Sequence, residues 1–564
     1  MHDLVIENAR IVDGTGAPAY HGSLTASGGR ITALSRTPRS GEAARERIDA
    51  EGRVLAPGFV DPHTHYDAQV AWDPILTCSP WHGVTSVVMG NCGVGVAPVR
   101  PENREVAMWD LVNVEAIPFE VMQRAIDWRW ESHPEFLDAL DARGLGINVA
   151  AMVPLTPLRQ WVMGEAAFER AAKPDESAEM ARLFRTALGA GAFGLSTTTL
   201  NNHLGFGGRP LGCRNAGHEE LGALCDVMNE MGRGSIELAL AQTDISSLSD
   251  GELALVRLLA ERSGRPVTYL ALINQPDDPT SFRRAVGRLG NLLGPRSVVP
   301  QISCRPLRQQ FDLRNPFMLG ALDAFRPVFN KPLEEQKRIY RDPGFRAAAN
   351  AELGTRPVFG EMWKRTRLID GRGPAAQALV AARTTIAELA SASGTTGLDA
   401  LIDVSVADDL GVTVDCEVAN YELEGVRNLL QDGRFLVGLS DGGAHVDMLC
   451  DACYPTFLLG RWVRERQALT LEDGVRRLTS VPADFWGIAD RGRLATGLAA
   501  DLVIFDPETV DTLDAEYVHD LPGGARRLIA RAVGVHHTIV AGQTLMRDGE
   551  HQGPLPGRVL RSGN

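Results

Sequence analysis

The chain has 564 residues, a net charge of -14, an apolar share of 44%, a charged share of 23% and 6% aromatics. That length exceeds what one hydrophobic core serves and predicts a large domain with at least one smaller one. The composition excludes long disorder, and the negative balance speaks against nucleic acid or an anionic membrane as partner, since both call for clustered positive charge.

Met1 runs directly into the strand-like Asp3-Leu4-Val5-Ile6-Glu7 without a basic or apolar leader, and no apolar run reaches the roughly 18 to 20 residues of a membrane-crossing helix. The eight cysteines are scattered without disulfide-framework spacing, as in a reducing compartment. A cytoplasmic protein is expected. Cys450 and Cys453 form a CxxC, but no second pair completes a zinc knuckle, and a redox or storage role would lack any cofactor motif.

Residues 1–56 read as short strands and turns: Leu4-Val5-Ile6, a Gly14-Thr15-Gly16 turn, Ile31-Thr32-Ala33-Leu34, and Arg53-Val54-Leu55. They cannot bury two faces alone. Near the other end Gly492-Arg493-Leu494, Leu502-Val503-Ile504-Phe505 and Thr538-Ile539-Val540-Ala541-Gly542 repeat the pattern, so the two ends are expected to pair into one sandwich around an inserted middle.

The middle alternates β-rich runs with helical stretches, the pattern of a parallel sheet covered by helices. The candidate strands are residues 58–60, 85–89, 147–150, 194–196, 236–239, 267–270, 298–302 and 435–439. Eight such units predict an α/β protein with a TIM (β/α)8 barrel, plus a small β-sandwich domain formed by the N- and C-terminal segments. Residues 1–56 would be the first part of the sandwich, 57–485 the barrel, and 486–564 the second part with the C-terminal tail. Strands seven and eight are too far apart for one loop, which predicts a long insertion at about 310–430, with Ala375 to Ala392 as one helix.

His63 and His65 stand two apart after the first barrel strand, in Pro57-Gly58-Phe59-Val60-Asp61-Pro62-His63-Thr64-His65. In extended backbone, residues i and i+2 point the same way, so both imidazoles can meet one ion. HxH alone is a weak signal, and a pair of histidines capping a strand end is the plain alternative; a barrel strand's C-terminal end, where catalytic groups collect, makes it strong. Ser440-Asp441-Gly442-Gly443-Ala444-His445 ends the eighth strand, which a barrel sets beside the first. Two imidazoles and a carboxylate make a zinc site with room for water, and Asp441, touching metal and water, is the candidate general base and acid. The alternative for Asp441 is a turn residue capping the next segment.

These stretches, with Asp3 to Gly14 and Gly497-Leu498-Ala499-Ala500-Asp501-Leu502, resemble the amidohydrolase superfamily, and within it the N-acyl-D-amino-acid deacylases, over nearly the whole length. The resemblance implies a TIM barrel flanked by a β-sandwich, bound zinc, and hydrolysis of an amide or related C–N bond. By position His63 and His65 match the metal ligands and Asp441 the last-strand aspartate. Asn91-Cys92-Gly93 matches the segment that supplies a cysteine ligand, and a thiolate suits zinc; a small buried cysteine in a glycine-rich loop is the other reading of Cys92.

The chain departs from two-metal relatives. No histidine lies between His218 and His445, and strands five (residues 237–242) and six (269–275) offer no imidazole. The lysines are Lys173, Lys331, Lys337 and Lys364, and none ends strand four, where Leu195-Ser196-Thr197-Thr198 stands, so a carboxylated-lysine bridge is not expected. One zinc per chain follows, with another divalent metal as alternative. Glu237 is either a replacement ligand on strand five or a hydrogen-bonding acid.

His445 is expected to face the same mouth and orient a substrate carboxylate or carbonyl, against a bland loop histidine. Tyr66, Asn91, Ser196 and His203 are expected to contact substrate, with Trp81 and His82 nearby; His203 and His218 lie in a glycine-rich segment suited to a lid. The expected substrate is a small-molecule amide, an N-acyl amino acid of D configuration by resemblance. The alternatives are the same chemistry on a cyclic amide, lactone, carbamate or unusual peptide bond, or a catalytically inactive binding protein of this fold. A homo-oligomer is expected from resemblance alone.

Overall fold

A computed structural model of the chain describes residues 1–37, 42–240, 246–275, 277–355 and 361–563. Residues 241 and 242, read above as the end of strand five, lie outside them.

The N-terminal strands are β1 (His2–Ile11), β2 (Tyr20–Ser27), β3 (Arg30–Ser35), β4 (Ala44–Asp49) and β5 (Val54–Pro57). They share one nine-stranded sheet with Leu502–Phe505, Val535–Val540, Gln543–Arg547 and Glu550–His551 from the other end, joined where β5 runs antiparallel to Leu502–Phe505. Alternation dictates the two faces: Leu55, Leu502 and Ile504 fall in one apolar cluster with Leu4 and Ile6, while Val54, Ala56, Val503 and Phe505 turn to the main core. Gly492-Arg493-Leu494, expected as a strand, is instead irregular; Leu494 is buried in the same cluster and its N–H donates to Asp13 O at 3.0 Å.

The middle holds β6 (Phe59–Asp61), β7 (Val84–Met89) and β8 (Asn148–Ala151) in one parallel array. A second array has β9 (Val153–Pro154), β10 (Gly194–Thr198), β11 (Ser235–Ala239), β12 (Val267–Leu270), β13 (Val298–Ile302) and, after a long excursion, Leu436–Val437. All eight expected runs fall on these strands. The arrays meet at both margins. Only Met152 separates β8 from β9, and at the far side a parallel bridge pairs Thr64 with Gly442, with the His65 N–H donating to Gly442 O at 2.7 Å. Helices cross between strands and are capped by their own sequence, as where Ser249 and Glu252 form a capping box at Asp250–Ser263 and Gly264 ends that helix in the left-handed region.

The excursion between β13 and Leu436–Val437 carries its own antiparallel sheet, β14 (Leu307–Phe311), β15 (Thr366–Asp370) and β16 (Thr413–Ala419), over a separate apolar cluster that includes Phe325, Tyr340, Leu401 and Val414. The single helix expected over Ala375 to Ala392 is two, Pro374–Ala381 and Ile386–Ser393. Arg383 turns left-handed, at φ 55°, and Thr385 starts the second helix with a capping box to Glu388, a local signal that overrides the apolar spacing. Among the described residues no helix is long and apolar enough to cross a membrane.

Candidate metal centre and active site

Beyond β6 the chain stays extended: the Thr64 N–H and hydroxyl both donate to Val88 O, at 2.9 and 2.8 Å. His63 and His65 therefore project from one side, buried, with ring centroids 5.2 Å apart.

After β7 the backbone turns back through three left-handed residues, Gly90 (φ 80°), Cys92 (φ 54°) and Gly93 (φ 71°). Neighbouring strands fix the turn. Asn91 Nδ2 donates to Thr64 O and Val88 O, both at 3.0 Å; the Gly90 N–H donates to Asp67 Oδ2 at 3.0 Å; Ser196 Oγ donates to Gly90 O and accepts from the Gly93 N–H at 3.1 Å; and the Cys92 N–H donates to Glu237 Oε2 at 2.7 Å. A side chain at such a φ costs roughly 1–2 kcal/mol relative to glycine, so a cysteine held there between glycines points to a use for its thiol.

Among the described residues His63, His65 and Cys92 form a group of metal-competent donors whose ligand atoms lie within 4.8 Å of one another. His63 Nε2 is 3.6 Å from Cys92 Sγ and 3.4 Å from Asp441 Oδ1, and His65 Nε2 is 3.9 Å from the same oxygen. Tetrahedral zinc with N, O and S ligands needs ligand atoms about 3.3–3.8 Å apart. The donor set fits.

The electrostatics support a cation. Glu115 and Asp441 stand beside the imidazoles, Glu237 against Cys92 and Asp67 behind the Gly90 turn: burial pushes Asp67 and Asp441 up to about 7, Glu237 to about 8, and Glu115 well above the usual carboxylate range, the last also raised by Asp441. Burial lowers His63 to about 3 and His65 well below its ordinary value, which keeps both imidazoles neutral, the form that binds metal. His203 and His445 belong to the same cluster, lowered by burial to about 3 and about 4; His445 further lowers His63, His65 and His203. Both pack on Phe317, with ring centroids 6.3 and 4.8 Å away.

The expected substrate contacts are redistributed. Asn91 and Ser196 spend donors on backbone carbonyls and hold the Cys92 turn. Tyr66 is buried with its hydroxyl 2.7 Å from Ser79 Oγ, behind Gly442, where an added Cβ would meet that hydroxyl at 2.7 Å. His82 is occupied on both nitrogens, by Thr456 Oγ1 and Ala530 O, and Trp81 lies under Arg531. Glu237 accepts from the Cys92 N–H, with Oε1 3.9 Å from Sγ. Glu115, at the end of helix α1 (Arg104–Glu115), was not expected: its Oε1 lies 3.1 Å from His65 Nδ1, and nothing in its local sequence signals this.

Asp441 also borders a cavity of about 300 Å³. Leu200, Leu240, Leu270 and Ile273 from the strand ends, and Leu307 and Val418 from the inserted sheet, line most of it, with Arg308 and Asp451 also on its wall.

The family model for amidohydrolases matches residues 46–305 and 347–546. The chain belongs to the amidohydrolase family. This amidohydrolase is similar to the D-aminoacylase of Alcaligenes xylosoxydans xylosoxydans, 28% identical over 99% of this chain and 97% of that protein. It is also similar to the crystal structure of the N-acyl-D-glutamate deacylase of Bordetella bronchiseptica, complexed with zinc and a phosphonate inhibitor, at a TM-score of 0.67 and 25% identity over 99% of each chain. A D-aminoacylase crystal structure shares the fold, with a TM-score of 0.69 at 23% identity over 100% of each chain. This amidohydrolase is thus a metal-dependent hydrolase of carbon–nitrogen bonds other than peptide bonds, which sets aside the inactive binding protein.

Proposed function

We propose that this amidohydrolase hydrolyses N-acyl-D-amino acids carrying an apolar side chain or acyl group. The observation that carries the proposal is the grouping of His63, His65 and Cys92, with Asp441 Oδ1 3.4 Å from His63 Nε2, beside a largely apolar cavity. The two parallel arrays are read as the staves of one (β/α)8 barrel, residues 57–485, with the excursion as an insertion that walls the cavity and the terminal sheet, residues 1–56 and 486–564, as the small β-sandwich domain. The D configuration rests on the relatives.

His63, His65, Cys92 and Asp441 would hold one zinc ion, which when bound lowers the pKa of a bound water and polarises the scissile carbonyl. Asp441 takes the proton from the attacking water and gives it to the leaving nitrogen, so amide plus water yields carboxylate plus amine. Its side chain, 25% exposed, is the acid of the cluster open to the cavity. His445 and His203, each with an unpartnered buried Nδ1, orient the substrate carboxylate or carbonyl. A substrate of this size leaves no role for nucleic acid or membrane.

Elemental analysis of purified protein, followed by assays on N-acetyl-D- and L-amino acids with apolar and acidic side chains, tests the reading. One zinc per chain, lost in His63→Ala, and turnover of apolar D substrates support it. Two metals, or turnover confined to cyclic amides, lactones or acidic side chains, would reject it.

A further inference from the structure

Glu115 occupies an unfavourable place for a carboxylate. It is the last residue of α1, where the helix dipole presents its negative end, it is 1% exposed, and neither oxygen has an aligned hydrogen-bond partner. The charges that bear on it, Asp441, Asp67 and Glu237, are all acidic. Among the described residues its ion-pair partner is His65, with Nδ1 at 3.1 Å from Oε1.

The helix end is nonetheless gripped. Asn113 Nδ2 donates to Gly205 O at 2.7 Å, and Asn113 and Asn330 exchange amide hydrogen bonds at 2.9 Å. Ala116 turns left-handed, at φ 54°, and buries its methyl in the insertion's apolar cluster. The 203–218 segment, the insertion and the helix thus converge to fix one carboxylate behind one imidazole. Neither His63 Nδ1 nor His65 Nδ1 makes an aligned hydrogen bond among the described residues, and the Glu115 carboxylate stands within ion-pair reach of His65 Nδ1.

We infer that Glu115 is a positioning residue for the metal site: it takes the His65 Nδ1–H, fixes the tautomer and ring, and leaves Nε2, the nitrogen facing Asp441, as the ligand atom. An imidazole held by a carboxylate is a more basic and better oriented ligand, and the positive metal–imidazole unit offsets the burial of Glu115. The inference rests on the metal reading of the site.

The test compares the zinc dissociation constants of the full-length parent, Glu115→Gln and Glu115→Ala by chelator competition, with apo melting temperature and the visible spectrum of the cobalt-loaded proteins alongside. The isosteric Gln keeps the packing and removes the charge. Zinc affinity should fall about 10-fold for Gln and up to about 100-fold for Ala, with a changed cobalt spectrum and no loss of apo melting temperature for Gln. Zinc affinity of Glu115→Gln within twofold of a zinc-binding parent would overturn the positioning role alone. A parent that binds no zinc would overturn the metal reading and this inference with it.

Discussion

His63 Nε2 and Asp441 Oδ1, from the segments that follow the first and last strands of the parallel arrays, lie 3.4 Å apart, joined below by Ser440 Oγ donating to His63 O at 2.9 Å. The backbone bridge at Thr64 and Gly442 sets this spacing, so the carboxylate is placed by the sheet rather than by a flexible loop.

Replacing Asp441 with Asn therefore leaves that scaffold intact and removes the proton acceptor. Turnover of N-acetyl-D-leucine should fall by about 10²- to 10⁴-fold with an unchanged melting temperature. Activity within tenfold of the parent would remove Asp441 from the role of general base.

Cys92 separates backbone cost from chemical use. Cys92→Gly relieves the left-handed φ of 54°, so the apo protein should melt no lower than the parent, while zinc retained through dialysis against a chelator should drop at least tenfold. A variant that melts much lower and keeps its zinc would make Cys92 a packing residue.

What the sequence disclosed follows from the range of the forces involved. His63 and His65 share one extended segment, and Asp441 follows the last parallel strand, so local pattern plus the pairing of Thr64 with Gly442 suffices for them. Cys92 sits in a turn whose geometry depends on Ser196 and Glu237 from distant strands, and it was found only through resemblance. For Asn91, Ser196 and Tyr66 the sequence shows polarity but not the hydrogen-bond partners that hold them. Glu115 stands in the plain stretch Val114-Glu115-Ala116, and only the docking of α1 against His65 gives it meaning. β2 and β4 were missed because Tyr20–Ser27 and Ala44–Asp49 are paired through neighbours, without a strong apolar run of their own.

The cavity wall makes a specificity prediction. Ile273→Lys would introduce a cation among Leu240, Leu270, Leu307 and Val418. An ammonium there replaces apolar wall and adds positive charge beside Arg308, so kcat/KM for N-acetyl-D-leucine should fall at least about tenfold, while the ratio of N-acetyl-D-glutamate to N-acetyl-D-leucine hydrolysis rises. An unchanged ratio would mean that this cavity does not receive the variable group.

His133 offers a pH test away from the metal donors. Its Nε2–H donates to Met152 O at 2.9 Å, and burial lowers its pKa from 6.5 to about 4. The folded state keeps the ring neutral while the unfolded chain takes up a proton below 6.5, so this histidine's contribution is intact above that value and declines as pH falls toward 4. Between pH 7 and 5 the loss is about 2 kcal/mol. Buried carboxyls such as Asp61, raised to about 7, work in the opposite direction and mask it in the parent, so the comparison must be with His133→Gln, which supplies a donor without a titrating ring. The difference in unfolding free energy between parent and variant, from urea titrations at both pH values, should shift by that amount in favour of the variant at pH 5. A difference independent of pH would show that His133 is protonated, or reached by water, in the folded protein.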